Sequence, residues 1–594
     1  MNSESKICQI CNSGFSFESE DLSFYERIQV PPPKACWRCR FANLLNWRNE
    51  RSLYKRPCDL CNKPIVSMFK TSSPFPVYCH DCWWGDNWNP LSFGKRYDFS
   101  RPFFEQFMEL ERVVPRPAVY ETDNVNSEYC NHAAHMKNGY LMFGSWFTED
   151  CSYGQTVLES KDCWDCLFIK NSETCYMSFD CEKCYRTHFS QNCGDCIDSM
   201  FLYDCRNCQN CLFSFNLRNK SYYVRNNQVT KEEFEKTKSE VLSSYSKLAR
   251  ELEDFRKSVQ RQALHKFYTG ERNNNVSGDF IYNSKNVIHS HYINDGENER
   301  YAVRGGKGQK EAMDVFGVHA GELVYQCNNM DFSSRTFFSV NGENNIDSSY
   351  LIDSFNAVNS FGCISLRNKK FCILNKQYPE EEYKDLRGKI ITQMSEIPYT
   401  DKHGRRFSYG DFFPIEAAPF SYNESLAQDY APLTERKATE LGYVWHNMED
   451  KSYTATKIWN DLPETIGEVT DSILSDVILC QAWDEDKEKA KEHKCTKGFK
   501  ITPAELAVYR RLNMPLPRKC PNSRNYDMFR LRTPVEFHKR VCQCDGAKSE
   551  NGAYKNTAKH FHESSHCPNK FETCYSPERP EVIYCEQCYK AEIV

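Results

Sequence analysis

The sequence predicts a multidomain α+β protein with a four-cysteine module at each end and a duplicated, β-rich centre. Three observations predict this architecture. A cysteine-containing stretch occurs twice, once near each end; the central cysteines follow a period of three residues; and a second duplication relates the two halves of the centre. At 594 residues the chain is longer than a single hydrophobic core normally supports, so several domains are expected.

Composition limits the compartment more than the function. A net charge of −5 with 26% charged residues favours no class of partner for the whole molecule. No apolar run follows a basic start, and no run of about 18 apolar residues occurs, so we expect neither a secretory signal nor a membrane span. We therefore expect the cytoplasm or another reducing compartment, where the 32 cysteines are metal ligands or buried apolar side chains instead of disulfides.

The N-terminal module contains four Cys-x-x-Cys pairs. Two such pairs supply the four thiolates of a closed, tetrahedral zinc site. Sequential pairing would give two zinc ribbons or treble clefs, whereas interleaved pairing would give a cross-braced, RING-like domain. The pairs are Cys8/Cys11, Cys36/Cys39, Cys58/Cys61 and Cys79/Cys82.

The C-terminal copy favours sequential pairing. The stretch from Cys11 to Cys58 aligns without a gap to the stretch from Cys495 to Cys542, an offset of 484 residue numbers. The equivalents of Cys8 and Cys39 are Glu492 and Ser523. Cross-bracing would have cost each site one ligand, but the equivalents of the third and fourth pairs remain complete. They are Cys542, Cys567, Cys585 and Cys588. We therefore predict three zinc sites, two at the N-terminus and one at the C-terminus.

A resemblance supports this interpretation. Cys8-Gln-Ile-Cys11, Gly14-Phe15 and Pro33-x-x-Cys36-x-x-Cys39-Arg40 resemble the probable zinc-ribbon domain family over about the first 50 residues. Across almost the whole chain, Leu366 to Tyr378, Gly410 to Pro414 and Glu578 to Tyr589 resemble uncharacterised zinc-ribbon proteins of uncultured small-genome bacteria. The resemblance implies zinc binding and architecture, and it implies no reaction.

Two further groups of candidate ligands lie in the C-terminal module. An insert of 22 residues between Cys542 and Cys567 carries Cys544, His560, His562 and His566, and a metal there would need these residues and Cys574; a solvated loop is the alternative. Cys495 and Cys520 are half of a degenerate site that Cys480 or His493 would restore. A fourth and a fifth zinc are left open on these residues, although the sequence alone favours no zinc at the degenerate site.

The same module is locally basic. Residues 495–545 contain eleven Lys or Arg against four Asp or Glu, with aromatic residues interleaved. This pattern is typical of a surface that binds phosphates and stacked bases. The alternative is that the arginines brace the cysteine module from within. The candidates for nucleic-acid binding are Arg510, Arg511, Arg518, Lys519, Arg524, Arg530 and Arg532.

The centre indicates a β-solenoid. Every cysteine from Cys130 to Cys211 lies in one register of period three, which is typical of a hexapeptide-like repeat with about three repeats per coil and small inward side chains. The second duplication aligns residues 199–234 to 348–383 at an offset of 149, and it replaces Cys205, Cys208 and Cys211 by Ser354, Ala357 and Ser360. These cysteines are therefore interpreted as packing residues instead of metal ligands.

Each half of the centre is followed by a predicted helix. After a capping box at Thr230 and Glu233, apolar residues alternate at spacings of four and three up to Val259, which predicts one long heptad helix over 230–268. Its partner would be another helix of the chain or a second subunit. Shorter helices are predicted over 380–394, over 434–441 and along Ile466, Val469, Ile473 and Val477.

These elements give a fold of zinc-ribbon or treble-clef modules at both ends, a duplicated β-solenoid-like centre and a long connecting helix. The predicted parts are 1–92 (double zinc module), 93–120 (linker and short helix), 121–229 (first solenoid half), 230–268 (heptad helix), 269–378 (second solenoid half), 379–485 (α-rich irregular region) and 486–594 (C-terminal zinc module).

Three classes of function follow. The first is a zinc-binding scaffold or recognition protein that contacts nucleic acid or a nucleoprotein through its terminal modules. The second is an assembly protein that contacts protein partners, or itself, through the solenoid faces and the helix 230–268. The third is a β-solenoid enzyme, either an acyltransferase or a carbohydrate-active protein. No spacing marks His132, His135, Asp204 or Asp353 as catalytic, and common catalytic motifs are missing. The sequence therefore assigns no catalytic residue.

Overall fold

The chain folds as a mixed α/β protein with several sheets and with cysteine groups at both ends. The structure is a computed structural model that describes residues 5–306, 308–319, 324–331, 337–447, 454–563 and 565–594. It forms two compact units. Unit 1 consists of Met1–Val119 and Tyr268–His446, and unit 2 consists of Tyr120–Phe267 and Asn447–Val594. Within the described ranges, no helix is both long and apolar enough to cross a bilayer.

The division assigns each terminal module to the more distant half of the centre. The N-terminal module shares unit 1 with the second half, and the C-terminal module shares unit 2 with the first half. The chain therefore passes from one unit to the other after Val119, after Phe267 and after His446.

In unit 2 the first half of the centre forms a six-stranded and a five-stranded sheet of mainly parallel strands, which together are called here the first ladder. Neighbouring strands pair at a register of twelve residues, as in Gln155 opposite Leu167 and Ile197 opposite Gln209. The expected coil of about three hexapeptides is therefore not the pairing period. The strands are Glu121–Thr122, Asn131–Ala134, Phe143–Trp146, Gln155–Leu158, Leu167–Lys170, Phe179–Glu182, Tyr185–His188, Ile197–Tyr203, Gln209–Phe215, Ser221–Val224 and the antiparallel Asn227–Gln228.

Backbone conformation explains the period. Every third residue of the ladder is left-handed, as at Asp162, Asp165 and Phe168, whose φ values are 51°, 51° and 53°. A single left-handed residue turns an otherwise extended chain. One turn every three residues places four turns in each twelve-residue repeat and keeps every third side chain on the same side of the backbone.

That side is the interior, and it contains the central cysteines. All twelve, from Cys130 to Cys211, are buried in one core cluster. Their thiols donate to carbonyl oxygens of their own and the neighbouring strand segment, as from Cys163 Sγ to Lys161 O (3.2 Å) and to Ser172 O (3.5 Å). Ser172 makes the same type of bond with its hydroxyl, to Lys170 O at 2.9 Å. The interior positions thus favour small side chains that carry one weak donor.

The second half of the centre forms the second ladder, in unit 1, with the same parallel arrangement. Ser349 pairs with Phe361, and Val340 pairs with Ile352. Ser354, which replaces Cys205, is fully buried and donates to Ile352 O at 3.0 Å. The strands are Gly270–Glu271, Asn274–Tyr282, Lys285–Asn294, Glu297–Arg300, Lys310–His319, Val324–Asp331, Phe337–Glu343, Ser349–Phe355, Val358–Ile364, Lys370–Ile373 and the antiparallel Lys376–Gln377.

The predicted long heptad helix is two helices, Lys231–Leu242 and Tyr245–Gln262. The capping box at Thr230 and Glu233 is confirmed. The prediction of one continuous helix was wrong because Ser244 is an N-cap: its hydroxyl accepts from Lys247 N and starts the second helix. The apolar seam packs within unit 2, where Leu248 and Phe255 join a core cluster with residues of the ladder and of the C-terminal module.

The remaining strands and helices of unit 1 lie outside the second ladder and are mostly short. In unit 1 the remaining strands are Ser5–Ile7, Gly14–Ser16, Tyr54–Pro57, Pro64–Ser67, Val77–Tyr78, Arg116–Pro117, Tyr399–Thr400 and Arg406–Phe407, and the helices are Ser19–Arg27, Trp37–Leu45, His80–Trp84, Phe103–Glu111, Glu380–Glu396, Leu426–Tyr430 and Glu435–Glu440, with short 3-10 turns at Pro90–Phe93, Ile415–Ala417 and Tyr422–Glu424. The predicted helices over 380–394 and 434–441 are thus confirmed.

In unit 2 the remaining strands are Leu264–Lys266, Ile478–Leu479, Gly498–Phe499, His538–Val541, Lys570–Thr573 and Val582–Tyr584, and the helices are Gln481–Glu485, Lys487–Glu492, Pro503–Leu512, Pro521–Phe529 and Glu586–Ile593, with a 3-10 turn at Trp459–Asp461. The helix predicted along Ile466 to Val477 was wrong. The segment forms two 3-10 turns, Ile466–Glu468 and Asp471–Ser475, separated by the extended residues Val469 and Thr470.

Candidate metal centres

The first quartet consists of Cys8, Cys11, Cys36 and Cys39. Cys8 and Cys11 lie in the turn between strands Ser5–Ile7 and Gly14–Ser16, while Cys36 is the N-cap of helix Trp37–Leu45. The Sγ atoms of Cys11 and Cys36 are 3.8 Å apart. Backbone N–H groups also point at sulfur, with Ile10 N at 3.4 Å and Cys36 N at 3.3 Å from Cys8 Sγ.

The second quartet, Cys58, Cys61, Cys79 and Cys82, repeats this arrangement. A turn between Tyr54–Pro57 and Pro64–Ser67 supplies the first pair, and Cys79 is the N-cap of helix His80–Trp84. The sulfurs of Cys61 and Cys79 are 3.8 Å apart. Burial raises the pKa of Cys58, but backbone N–H groups of Cys61, Cys79 and Leu60 outweigh it and lower that pKa to about 7. Cys58 therefore favours the thiolate form, whereas burial raises the pKa of Cys79 and of Cys82.

The third quartet, Cys542, Cys567, Cys585 and Cys588, is buried at all four residues. Cys542 follows strand His538–Val541, and Cys585 is the N-cap of helix Glu586–Ile593. Cys567 Sγ lies 3.8 Å from Cys585 Sγ and 3.7 Å from Cys588 Sγ. Cys585 N donates to Cys542 Sγ at 3.2 Å, as Cys79 N does to Cys58 Sγ.

These separations fit a metal and not a disulfide. A tetrahedron with metal–sulfur bonds of about 2.3 Å has sulfur–sulfur edges of about 3.8 Å, whereas a disulfide bond is about 2.05 Å. All 32 cysteines are free thiols. The structure brings the first pair to the second and the third pair to the fourth, which is the sequential arrangement that the sequence predicted. In each quartet the ligand atoms lie within 4.8 Å of one another, so each can hold a metal ion.

The degenerate site retains three sulfurs, in a group called here the thiol triad: Cys480, Cys495 and Cys520, all buried. Cys480 takes the place of Cys8, because Cys520 N donates to its sulfur at 3.2 Å as Cys36 N does to Cys8 Sγ. The hydroxyl of Ser523 lies 3.3 Å from Cys520 Sγ and 3.8 Å from Cys480 Sγ. His493 is not the replacement ligand; its ring stacks on Tyr526 with centroids 4.0 Å apart.

The insert supplies a second group beside the third quartet. Cys544, His560, His562 and Cys588 have ligand atoms within 4.8 Å of one another, and all four are buried. His566 lies apart from this group: its side chain is 41% exposed and its Nδ1 contacts Cys567 O at 3.0 Å. Cys574 is buried immediately after strand Lys570–Thr573.

The candidate cations for nucleic acid are largely engaged inside unit 2. Arg518, Arg524 and Arg532 have side chains 2%, 3% and 4% exposed. Arg518 donates to the carbonyls of Leu462 and Pro463, and Arg532 lies over the Phe168 ring and near Asp180. The exposed Arg510 and Arg511 pair with Asp471 and Asp162, and the half-buried Lys519 pairs with Asp527. Arg530 is exposed.

Arg524 and Arg40 form equivalent buried pairs, which sequence reasoning missed. Arg524 lies 484 positions after Arg40, and their partners Asp165 and Asp314 lie 149 positions apart. Arg40 donates from Nε and Nη2 to the two oxygens of Asp314, both at 2.8 Å, and Arg524 contacts Asp165 at 3.0 and 2.9 Å. Extending the 149-residue duplication upstream of Ser199 would have revealed both aspartates.

The remaining contacts of the two arginines are equivalent as well. Nη1 of Arg40 donates to Ala35 O at 2.7 Å, and Nη1 of Arg524 donates to Lys519 O, the equivalent carbonyl, at 3.3 Å. Tyr25 packs edge-on against Tyr325, with centroids 5.3 Å apart, and the equivalent Tyr509 packs edge-on against Tyr176, at 5.8 Å. Each terminal module therefore packs on a ladder in the same way.

The four residues considered for catalysis have structural contacts. Asp204 accepts from the Tyr589 hydroxyl and pairs with Arg218, and Asp353 pairs with the buried Arg116. His132 is buried against the Tyr120 ring, and His135 stacks on Phe147. These contacts anchor the ladders and do not assemble a nucleophile with a base.

Comparison with known proteins adds no assignment. No protein-family model matches this chain, and no curated protein is similar enough to match it. The conclusions about function therefore depend on the geometry of the cysteine groups and of the module–ladder contacts.

Proposed function

We propose that this protein is a zinc-dependent scaffold in which the three quartets each fold around one zinc ion and each terminal module braces a β-solenoid. Three features support this function: the quartets fit zinc, the ladders turn at every third residue, and a buried Arg–Asp pair joins each module to a ladder.

The quartets support a structural zinc. Zinc takes four ligands in structural sites, and four thiolates leave no position for a water or a substrate. Metal binding then contributes directly to folding, because the ligands converge only in the folded chain. The short strands and helices around each quartet, such as Ser5–Ile7 and His80–Trp84, are too small to form a stable core alone.

The ladders support a solenoid of twelve residues per coil. In the first ladder, parallel neighbours at a register of twelve, a left-handed residue at every third position and a continuous column of interior cysteines are the features of a coiled β-chain. The second ladder has the same parallel pairing and left-handed residues with local register shifts, as at Glu297 opposite Lys310. Such a structure stacks each coil on the next, so it is a rigid rod-like support with repetitive faces.

The observation that carries the proposal is the pair of equivalent Arg–Asp contacts. Arg40 binds Asp314 through two hydrogen bonds, a strong and directional arrangement, and Arg524 binds Asp165 through one hydrogen bond and a second ion-pair contact. Both pairs are almost completely buried. They occur in both copies although the modules differ at the positions of Cys8 and Cys39. Three arginines of the basic stretch contact aspartates of the first ladder: Arg511 contacts Asp162, Arg524 contacts Asp165 and Arg532 contacts Asp180. Their engagement favours a scaffold for protein partners over one that binds nucleic acid through these three residues.

Metal analysis of the full chain tests the zinc part of the proposal. We expect Cys61→Ser, in the second quartet, to release one zinc ion per chain, because three thiolates bind zinc less tightly than four. Cys163→Ser, in the interior of the first ladder, is the matched control and should leave the zinc content unchanged. Equal zinc content in the wild type and in Cys61→Ser would refute the assignment of the quartet.

A further inference from the structure

We propose that the C-terminal module holds two metal ions that share the thiolate of Cys588. One ion is the zinc of the third quartet. The other is bound by Cys544, His560, His562 and Cys588, so the insert that distinguishes this module from its N-terminal copy completes a dinuclear centre. This inference rests on the third quartet holding zinc, as proposed above.

The distances in the insert fit a second tetrahedral ion. Cys544 Sγ lies 3.6 Å from His560 Nδ1, and His562 Nε2 lies 3.3 Å from Cys588 Sγ. A zinc ion with bonds of about 2.3 Å to sulfur and about 2.05 Å to nitrogen requires sulfur–nitrogen edges of about 3.5 Å. Two thiolates and two imidazoles are one of the common structural zinc ligand sets.

In each of the two histidines, one ring nitrogen is hydrogen-bonded to an oxygen and the other ring nitrogen faces a cysteine sulfur. His560 Nε2 is 2.8 Å from Glu592 Oε1, and His562 Nδ1 is 2.6 Å from Ser565 O. Both acceptors require a proton on the nitrogen that they contact. The unprotonated nitrogens are therefore His560 Nδ1 and His562 Nε2, the two atoms that face the sulfurs.

Glu592 is itself fixed in position. Its carboxylate accepts from Thr557 N at 2.8 Å and from Ala558 N at 3.0 Å, and the side chains of His560 and Glu592 are fully buried. A carboxylate that orients a histidine ligand in this way is a frequent companion of bound zinc.

The sulfur of Cys544 accepts a hydrogen bond from the insert itself. Cys544 is fully buried, and Asn556 Nδ2 donates to its sulfur at 3.2 Å. Its backbone carbonyl accepts from Cys567 N at 2.9 Å, which joins the insert to the third quartet. A hydrogen bond to sulfur stabilises the charged form and is common around metal-bound cysteines.

A shared Cys588 also balances charge. A zinc ion with four thiolates carries a formal charge of −2, which is costly in a fully buried site. A second zinc ion with one additional thiolate and two neutral imidazoles changes the total to −1. The second quartet has no such insert, and its Cys61 is exposed to solvent, which stabilises the charge of a single zinc.

Elemental analysis of the full chain tests the second ion. We expect His560→Ala to lower the metal content by one ion per chain, whereas the control His566→Ala, outside the group, leaves it unchanged. Glu592→Gln keeps the ligands and should weaken one ion about 10- to 100-fold in a chelator competition. Unchanged metal content and affinity in both His560→Ala and Glu592→Gln would overturn the inference.

Cadmium-113 NMR of the cadmium-loaded chain tests the shared sulfur. Two ions that share the Cys588 sulfur should show mutual scalar coupling, one with a four-sulfur shift and the other with a shift for two sulfurs and two nitrogens. Two uncoupled signals would overturn the shared thiolate. If Cys542→Ser leaves the metal content unchanged, the zinc assignment of the third quartet fails. If Cys542→Ser lowers the metal content but His560→Ala does not, the quartet assignment stands and the dinuclear centre fails.

Discussion

At the scale of single residues, one buried arginine joins each terminal module to the ladder of its unit. Arg524 lies between Asp165 and Glu505, beneath the Tyr153 ring, with its guanidinium 5.2 Å from the ring centroid. Burial alone would lower the pKa of Arg524, but Asp165 and the other acidic neighbours raise it well above its ordinary value. The arginine is therefore charged, and its replacement by alanine removes the guanidinium that contacts the buried carboxylates of Asp165 and Glu505.

We expect Arg524→Ala to destabilise unit 2 by about 3–5 kcal/mol, the usual cost of breaking a buried ion pair from one side. Denaturant unfolding monitored by tryptophan fluorescence measures this. Arg511→Ala is the control: its pair with Asp162 is half exposed, so the change should stay below about 1 kcal/mol. Equal stability of the wild type and Arg524→Ala would contradict the prediction.

A second residue-scale prediction concerns pH. Burial and, to a smaller extent, the nearby Lys238, Arg186 and Arg511 together lower the pKa of His188 to about 3. In the unfolded chain the pKa of a histidine is about 6.5, so below that pH only the unfolded state takes up this proton and stability falls with acidification.

Between about pH 7.5 and about pH 5.5, His188 should cost unit 2 about 1.4 kcal/mol of stability. His188→Phe removes this contribution, because phenylalanine does not titrate. The difference between wild type and variant at the two pH values isolates the effect from metal release, which both proteins share. A difference that does not change with pH would contradict the prediction.

At the scale of elements, the ladder interior accepts cysteine or serine because both fill the column and donate to the same carbonyls. Cys205 Sγ contacts Tyr203 O at 3.5 Å, and the equivalent Ser354 Oγ contacts Ile352 O at 3.0 Å. The two ladders therefore show, within one chain, that cysteine and serine occupy the same interior position with the same contact.

We expect the triple variant Cys205→Ser, Cys208→Ala and Cys211→Ser, which copies the second ladder into the first, to keep the fold and to lose less than about 3 kcal/mol in total. Circular dichroism and thermal unfolding measure this. Cys208→Leu is the matched contrast, because overpacking a filled column costs about 1–3 kcal/mol at one site. Loss of metal from the triple variant would identify these cysteines as ligands.

The sequence predicted the elements that depend on local rules. The Thr230 capping box, the Cys-x-x-Cys turns and the period of three follow from neighbouring residues. The break at Ser243 and Ser244 was missed because the apolar spacing continues from Val241 through Leu248, and the register of twelve was missed because the cysteine spacings of 12 and 18 both fit a period of three. The place of Cys480 was one of two alternatives until the strand pairing of Ile478–Leu479 with Gly498–Phe499 decided it.

At the scale of the whole chain, each of the two compact units combines segments that are distant in the sequence, and the sequence analysis missed this association. Each module packs on the ladder that is more distant along the chain, through Arg40 and Asp314 in unit 1 and through Arg524 and Asp165 in unit 2. No local pattern specifies such a choice. In the sequence, the association is visible only in two offsets: 484 relates the two arginines, and 149 relates the two aspartates.

Because each module packs on the more distant ladder, the order of translation limits when each unit can fold. Arg40 and Asp314 are 274 residues apart, and at ribosomal rates of about 5–20 residues per second the N-terminal module waits roughly 15–55 s for its partner to be translated. Asp165 waits longer, because Arg524 follows 359 residues later. Neither unit can close while the first half of the polypeptide is being made, so zinc supplied to the nascent chain would be the earliest event that protects its N-terminal end.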